Sequence, residues 1–113
     1  MEAETIEKAK RRWQRFEVEV QVGISLVRKT RQLNYSGMAH NISEGGMALF
    51  SVNELLEGEA ITLEFALPYG RRLSLNGVIR NRDRFEYGVE FVRPSAADRE
   101  ELMRTCRALS LIK

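Results

Sequence analysis

"KRRWQRFEVEVQV", residues 10–22, decides how this chain is read. From Phe16 onward apolar and polar residues alternate strictly, so Phe16, Val18, Val20 and Val22 share one face of a half-buried strand. Directly ahead stand Lys10, Arg11, Arg12 and Arg15, with Trp13 among them. A strand with one apolar face therefore emerges from a cluster of cations.

Working outward, the alternation continues through "FEVEVQVGISLV", and "RKTRQLN" reads as a polar connection. "YSGMAHNIS" is a second, weaker strand, ended by the breaker "EGG", whose glycines suit a tight reversal at positive φ. "MALF" follows, then "SVNELLEGEA" as a loop or a single helical turn. "ITLEFALP" alternates Ile61, Leu63, Phe65 and Leu67 before "YGRR" turns the chain. "LSLNGVIRN" and "YGVEFV" form a hairpin around "RDRF". Five or six short strands at a spacing of roughly ten residues, with turn signals between them, predict an antiparallel barrel or sandwich.

After Pro94 the period changes. Ser95 is placed to cap a helix, with Asp98 three residues on in the position a capping box usually gives to Glu. Leu102, Met103, Cys106 and Leu109 fall on one stripe, which predicts a terminal amphipathic α-helix packed on the barrel. Residues 1–10, "MEAETIEKAK", carry too few apolar positions to demand burial and read as a flexible N-terminal arm or a frayed helix. The domain then spans 11–113, with a barrel from about 15 to 93 and a helix from about 95 to 110.

The 113 residues suit one domain, and 43% hydrophobic with 30% charged residues is the balance of an ordinary globular protein. A net charge of +2 excludes a polycation that coats nucleic acid, so any electrostatic function must come from how the 18 Lys and Arg are distributed. The single cysteine, Cys106, excludes an internal disulfide and reads as a packed thiol. His40 has no Cys or carboxylate at ligand spacing, so no metal is expected. No apolar run approaches the ~20 residues that span a bilayer, and the N-terminus lacks the apolar stretch of a signal peptide. The expectation is a cytoplasmic protein. No P-loop, nucleophile elbow or zinc motif is present, which predicts a binding protein without a cofactor rather than an enzyme.

Two short patterns carry chemistry. Arg11-x-x-x-Arg15 offers two guanidinium groups, which fork onto phosphate or onto the O6/N7 edge of guanine. If extended, their α-carbons stand about 13 Å apart on one side of the chain. The same spacing equally describes a solvated charge run at an exposed strand end. Asn41-x-Ser43-x-x-Gly46 offers short polar side chains and glycines that permit close approach of a planar ligand. It equally describes a hairpin turn built from ordinary turn residues.

Taken together, Arg-x-x-x-Arg at the start of a strand and Asn-x-Ser-x-x-Gly about 30 residues later resemble the PilZ domain family. "GVIRN" followed by "YGVEFV" is similar to the family's last hairpin, so the resemblance covers about residues 10 to 93. It implies a six-stranded antiparallel β-barrel that binds the second messenger cyclic di-GMP. On that resemblance Arg11 and Arg15 grip phosphate and guanine edges, with Arg12 and Lys10 adding charge. Asn41, which stands where the family often has Asp, and Ser43 hydrogen-bond a base, while Gly45 and Gly46 allow close approach. Arg80 matches a position where a side chain lies against a guanine face, though it also fits a solvent-facing charge. Trp13 suits a cap on the barrel end or a cover for a base. The density of cations predicts two ligands per chain, and a receptor of this kind implies an unidentified downstream protein. The competing readings are a barrel that has lost its ligand and serves as an interaction module, and a small barrel for single-stranded nucleic acid. The second would need aromatic platforms, and aromatic residues are only 8% of the chain.

Overall fold

Strict alternation in the sequence becomes a two-sided wall in the computed structural model, which describes residues 14–112. Six strands form in order: β1 (Phe16–Arg28), β2 (Arg31–Ile42), β3 (Gly46–Phe50), β4 (Ala60–Ala66), β5 (Arg72–Asp83) and β6 (Glu86–Phe91). They close into an all-antiparallel barrel with strand order β1-β2-β3-β6-β5-β4. A helix, α1 (Ala96–Ile112), follows the last strand. The arm read at residues 1–10 and the residues Lys10, Arg11, Arg12 and Trp13 lie outside the described part of the chain.

The inward residues of each strand make one core. Val20, Val22, Ile24 and Leu26 of β1 face Leu49, Leu63, Leu75, Ile79, Tyr87 and Val89 from the other strands. Packing side chains from every strand into one interior removes apolar surface from water, the main favourable contribution to the fold. Leu55, from the segment between β3 and β4, is also fully buried. Its N–H donates to the Tyr87 hydroxyl at 3.0 Å, and that hydroxyl donates to the Asn53 carbonyl at 3.1 Å. That segment is a loop with no helical turn, and Arg28 ties it to β1 by a two-pronged ion pair with Glu59 at 3.0 and 2.8 Å.

Ser95 caps α1 as the sequence expects, while the Asp98 carboxylate, expected to complete a capping box, is paired with Arg71. The Asp98 N–H donates to Ser95 Oγ at 3.1 Å, and Leu102 and Cys106 are buried beneath the helix while Met103 packs against the core. Burial pushes the Cys106 thiol up to about 11, so it is protonated at neutral pH and packs as an apolar group. The helix is also held on the β4–β5 turn. Arg71 pairs with Asp98 at 3.0 Å, and the Arg71 N–H donates to the Glu101 carboxylate at 3.1 Å.

Two local readings are corrected. "RKTRQLN" is not a connection: only Lys29 and Thr30 turn the chain, both at positive φ (50° and 63°), and β2 begins at Arg31. A two-residue hairpin needs left-handed residues whatever their identity, and here neither is glycine. Secondly, Gly45 and Gly46 do not have positive φ; among the described glycines only Gly58 does, at 83°. Gly46 is required for a different reason. A Cβ there would lie 2.0 Å from the Val89 carbonyl oxygen, so β6 leaves no room for any side chain.

Candidate functional site

An open cleft of about 770 Å³ lies on the outer face of β2, β3, β6 and β5. Arg15, Asn41, Ser43, Gly45, Gly46 and Arg80 all line it. These residues come from just ahead of β1, from the end of β2 through the start of β3, and from β5, so only the closed barrel brings them together.

Its floor is a transverse row. Asn41 on β2 pairs with Ala48 on β3, Ala48 with Gly88 on β6, and Gly88 with Asn81 on β5. Three strand spacings separate the outer pair, roughly 14 Å along the sheet. The two middle residues are the smallest available, so the row is low in the centre and polar at both ends. Backbone irregularities sit beside it. In β2 the register slips between Ala39 and Asn41, and in β5 between Ile79 and Asn81. An extra residue at each bulge lets two consecutive side chains face outward, His40 with Asn41 and Arg80 with Asn81.

The loop at one end is held by its own side chain. The Ser43 hydroxyl accepts from the Gly45 N–H at 3.2 Å and donates to the Gly46 carbonyl at 3.4 Å, while the Ser43 N–H donates to that carbonyl at 2.8 Å. Ser43 therefore shapes the turn, as turn chemistry alone would have it. The Phe91 N–H donates to the Gly45 carbonyl at 2.8 Å and binds the loop to β6.

Charge in the cleft is balanced. Arg15, Arg80, Arg93 and Arg99 face Glu44, Asp83, Glu86 and Glu90 across one lining. Arg80 Nε donates to Glu90 Oε1, Arg99 pairs with Glu44 at 3.6 Å, and His40 lies 3.4 Å from Glu86. Arg80, read either as a side chain for a guanine face or as a solvent-facing charge, is exposed and has a carboxylate partner. Arg15 is exposed and, among the described residues, enters no ion pair. Among the described residues no group of His, Cys, Asp or Glu is arranged to hold a metal ion. Among the described residues no helix is long and apolar enough to cross a membrane.

Sequence reasoning missed Asn81, Glu90, Arg93 and Arg99. The alternation in "YGVEFV" does place Glu90 outward, but its nearness to Arg80 depends on the β5–β6 register. Strict alternation would have turned Asn81 inward, because a bulge leaves no mark in residue types. Arg93 and Arg99 carried no signal.

Comparison with known proteins places this geometry. No curated protein matches the chain in sequence. Among solved structures, the chain is similar to the Bacillus subtilis inhibitor of motility MotI/DgrA, at 23% identity and TM-score 0.73, over 92% of this chain and 53% of that one. It is similar to the PilZ domain of Escherichia coli YcgR solved with c-di-GMP, at 14% identity and TM-score 0.71, over 89% and 92%. The K. pneumonia MrkH–c-di-GMP complex matches at 18% identity and TM-score 0.69, over 91% and 52%. The chain thus spans about half the length of the MotI and MrkH chains. These likenesses establish the fold, and a sequence model of the PilZ domain matches residues 9–108. The chain belongs to the PilZ domain family.

Proposed function

We propose that this protein is a receptor for cyclic di-GMP that passes ligand binding on to a partner protein. One observation carries the reading: Arg15, Asn41, Ser43, Gly45, Gly46 and Arg80, distant in sequence, line one cleft. Its volume, about 770 Å³, is within the range of ligand sites, and two structural relatives were solved with c-di-GMP.

In this reading Arg15 forks onto phosphate or a guanine edge, with Arg11, Arg12 and Lys10 supplying further charge from the segment before β1. Asn41 reads a base. Ser43 and Gly45 hold the loop that frames it, and Gly46 lets that loop approach β6. Arg80 leaves Glu90 to lie on a guanine face. The protein acts as a binding module rather than a catalyst, since Glu44 and Glu90 are engaged by arginines rather than poised as an acid–base pair. A cytoplasmic site of action belongs to the same reading.

We further propose two ligands per chain. A stacked pair brings four phosphate charges, and the cations at positions 10, 11, 12 and 15 would offset them. A second reading has support from the ion pairs that neutralise much of the cleft: the barrel would then be an interaction module without a nucleotide.

Calorimetric titration with cyclic di-GMP, beside GTP and a short oligonucleotide, separates the alternatives. Cyclic di-GMP alone should bind, with two equivalents per chain by native mass spectrometry. An endpoint of one refutes the stoichiometry. Silence with cyclic di-GMP refutes the receptor.

A further inference from the structure

We infer that Asn81 is a second base-reading residue of the cleft, laid into place by the missing side chain at Gly88. This rests on the cyclic di-GMP reading above and extends it to a residue outside both sequence motifs.

Asn81 stands at the opposite end of the transverse row from Asn41. The β5 bulge turns it outward beside Arg80, and both line the cleft. Its carboxamide lies over the Gly88 backbone: a Cβ on Gly88 would be 2.5 Å from Asn81 Oδ1, 2.7 Å from Nδ2 and 2.9 Å from Cγ. The side chain thus occupies space that any other residue at position 88 would take. Among the described residues its carboxamide has no hydrogen-bond partner.

A carboxamide carries a donor and an acceptor side by side. Guanine presents the matching pair, with O6 as acceptor and N1–H as donor. Nδ2–H can therefore donate to O6 while Oδ1 accepts from N1–H. Arg80, one residue earlier and on the same outward side, would stack on the ring whose edge Asn81 reads.

The test is a double-mutant cycle on the intact chain, read by titration with cyclic di-GMP. Asn81→Ala should weaken binding about tenfold, the scale of one hydrogen-bonded contact. Gly88→Ala should do the same, because its methyl group displaces the carboxamide, the flexible end of a side chain, and leaves the strands alone. The double variant should also lose about tenfold rather than a hundredfold, since the methyl group then displaces nothing. Wild-type affinity in Asn81→Ala, or losses that multiply in the double variant, would overturn the inference and leave the receptor standing. Absence of binding by the wild type would overturn both.

Discussion

Arg80 and Glu90 both line the cleft and form an ion pair there. Their side chains are 58% and 54% exposed, so the pair contributes little to folding. It does cancel a cation that a dianion would use. Glu90→Gln should therefore leave thermal stability unchanged and tighten cyclic di-GMP binding about threefold, with a larger gain at low salt. Titration at two salt concentrations checks this, and weaker binding in the variant would mean that the carboxylate itself contacts the ligand. At this scale residue type was enough to single out Arg15, Asn41 and Arg80, which the fold brings to one cleft. The sequence was opaque where position depends on a bulge or on register. Asn81 was lost to the first, and the pairing of Arg80 with Glu90 to the second. Gly46 was singled out for close approach of a ligand, whereas what lies against it in the fold is the Val89 carbonyl of β6.

Two elements carry strain or charge that experiment can reach. The β1–β2 turn holds Lys29 and Thr30 at φ of 50° and 63°, a region where a β-branched residue is out of place. Replacing the pair by Asn-Gly should stabilise the protein by about 1 kcal/mol, read as a higher denaturation midpoint with an unchanged m-value. An unchanged midpoint would mean that the turn is not strained. The absence of glycine is also why this turn escaped notice: nothing in "RKTRQLN" resembles a hairpin tip, and Leu33 is its only apolar residue. The loop between β3 and β4 is anchored differently. Arg28, together with the Leu56 N–H, holds the Glu59 carboxyl below the usual carboxylate range, and the Glu59 side chain is only 11% exposed. A lowered folded-state value means that the stabilisation is complete above the unfolded value of about 4.5 and is lost as pH falls through the folded one. Glu59→Gln should therefore flatten the loss of stability below that pH, while changing nothing in its slope near neutrality. An acid limb as steep as that of the wild type would place the titrating group elsewhere.

For the whole molecule, the period of the apolar residues made five or six strands and a terminal helix readable, because burial on one face is a local pattern; the count of six came from the family resemblance. Closure was not local: β1 meets β4 through only Gly23–Ser25 against Thr62–Glu64, and no sequence pattern announces that pairing. The same closure joins the cleft, which draws on Arg15 just ahead of β1, on β2, β3, β5 and β6, and on Arg99 of α1. A ligand held there bridges strands far apart in sequence, so its binding opposes global unfolding rather than the fraying of one loop. At a free ligand concentration a hundred times Kd the stabilisation is about 2.7 kcal/mol, which for a domain of this size raises Tm on the order of 10–20 °C. Arg15 is exposed, so Arg15→Ala should leave the ligand-free Tm almost unchanged. Loss of its charged contact should cost binding about 2–5 kcal/mol. At the same ligand concentration the weakened site stabilises by about 0.9 kcal/mol or less, and the shift should fall to about 7 °C or less. Thermal melts of both proteins, with and without cyclic di-GMP, read all four states. An undiminished shift in Arg15→Ala would remove that side chain from the site, whereas a wild type that melts at one temperature throughout would remove the ligand.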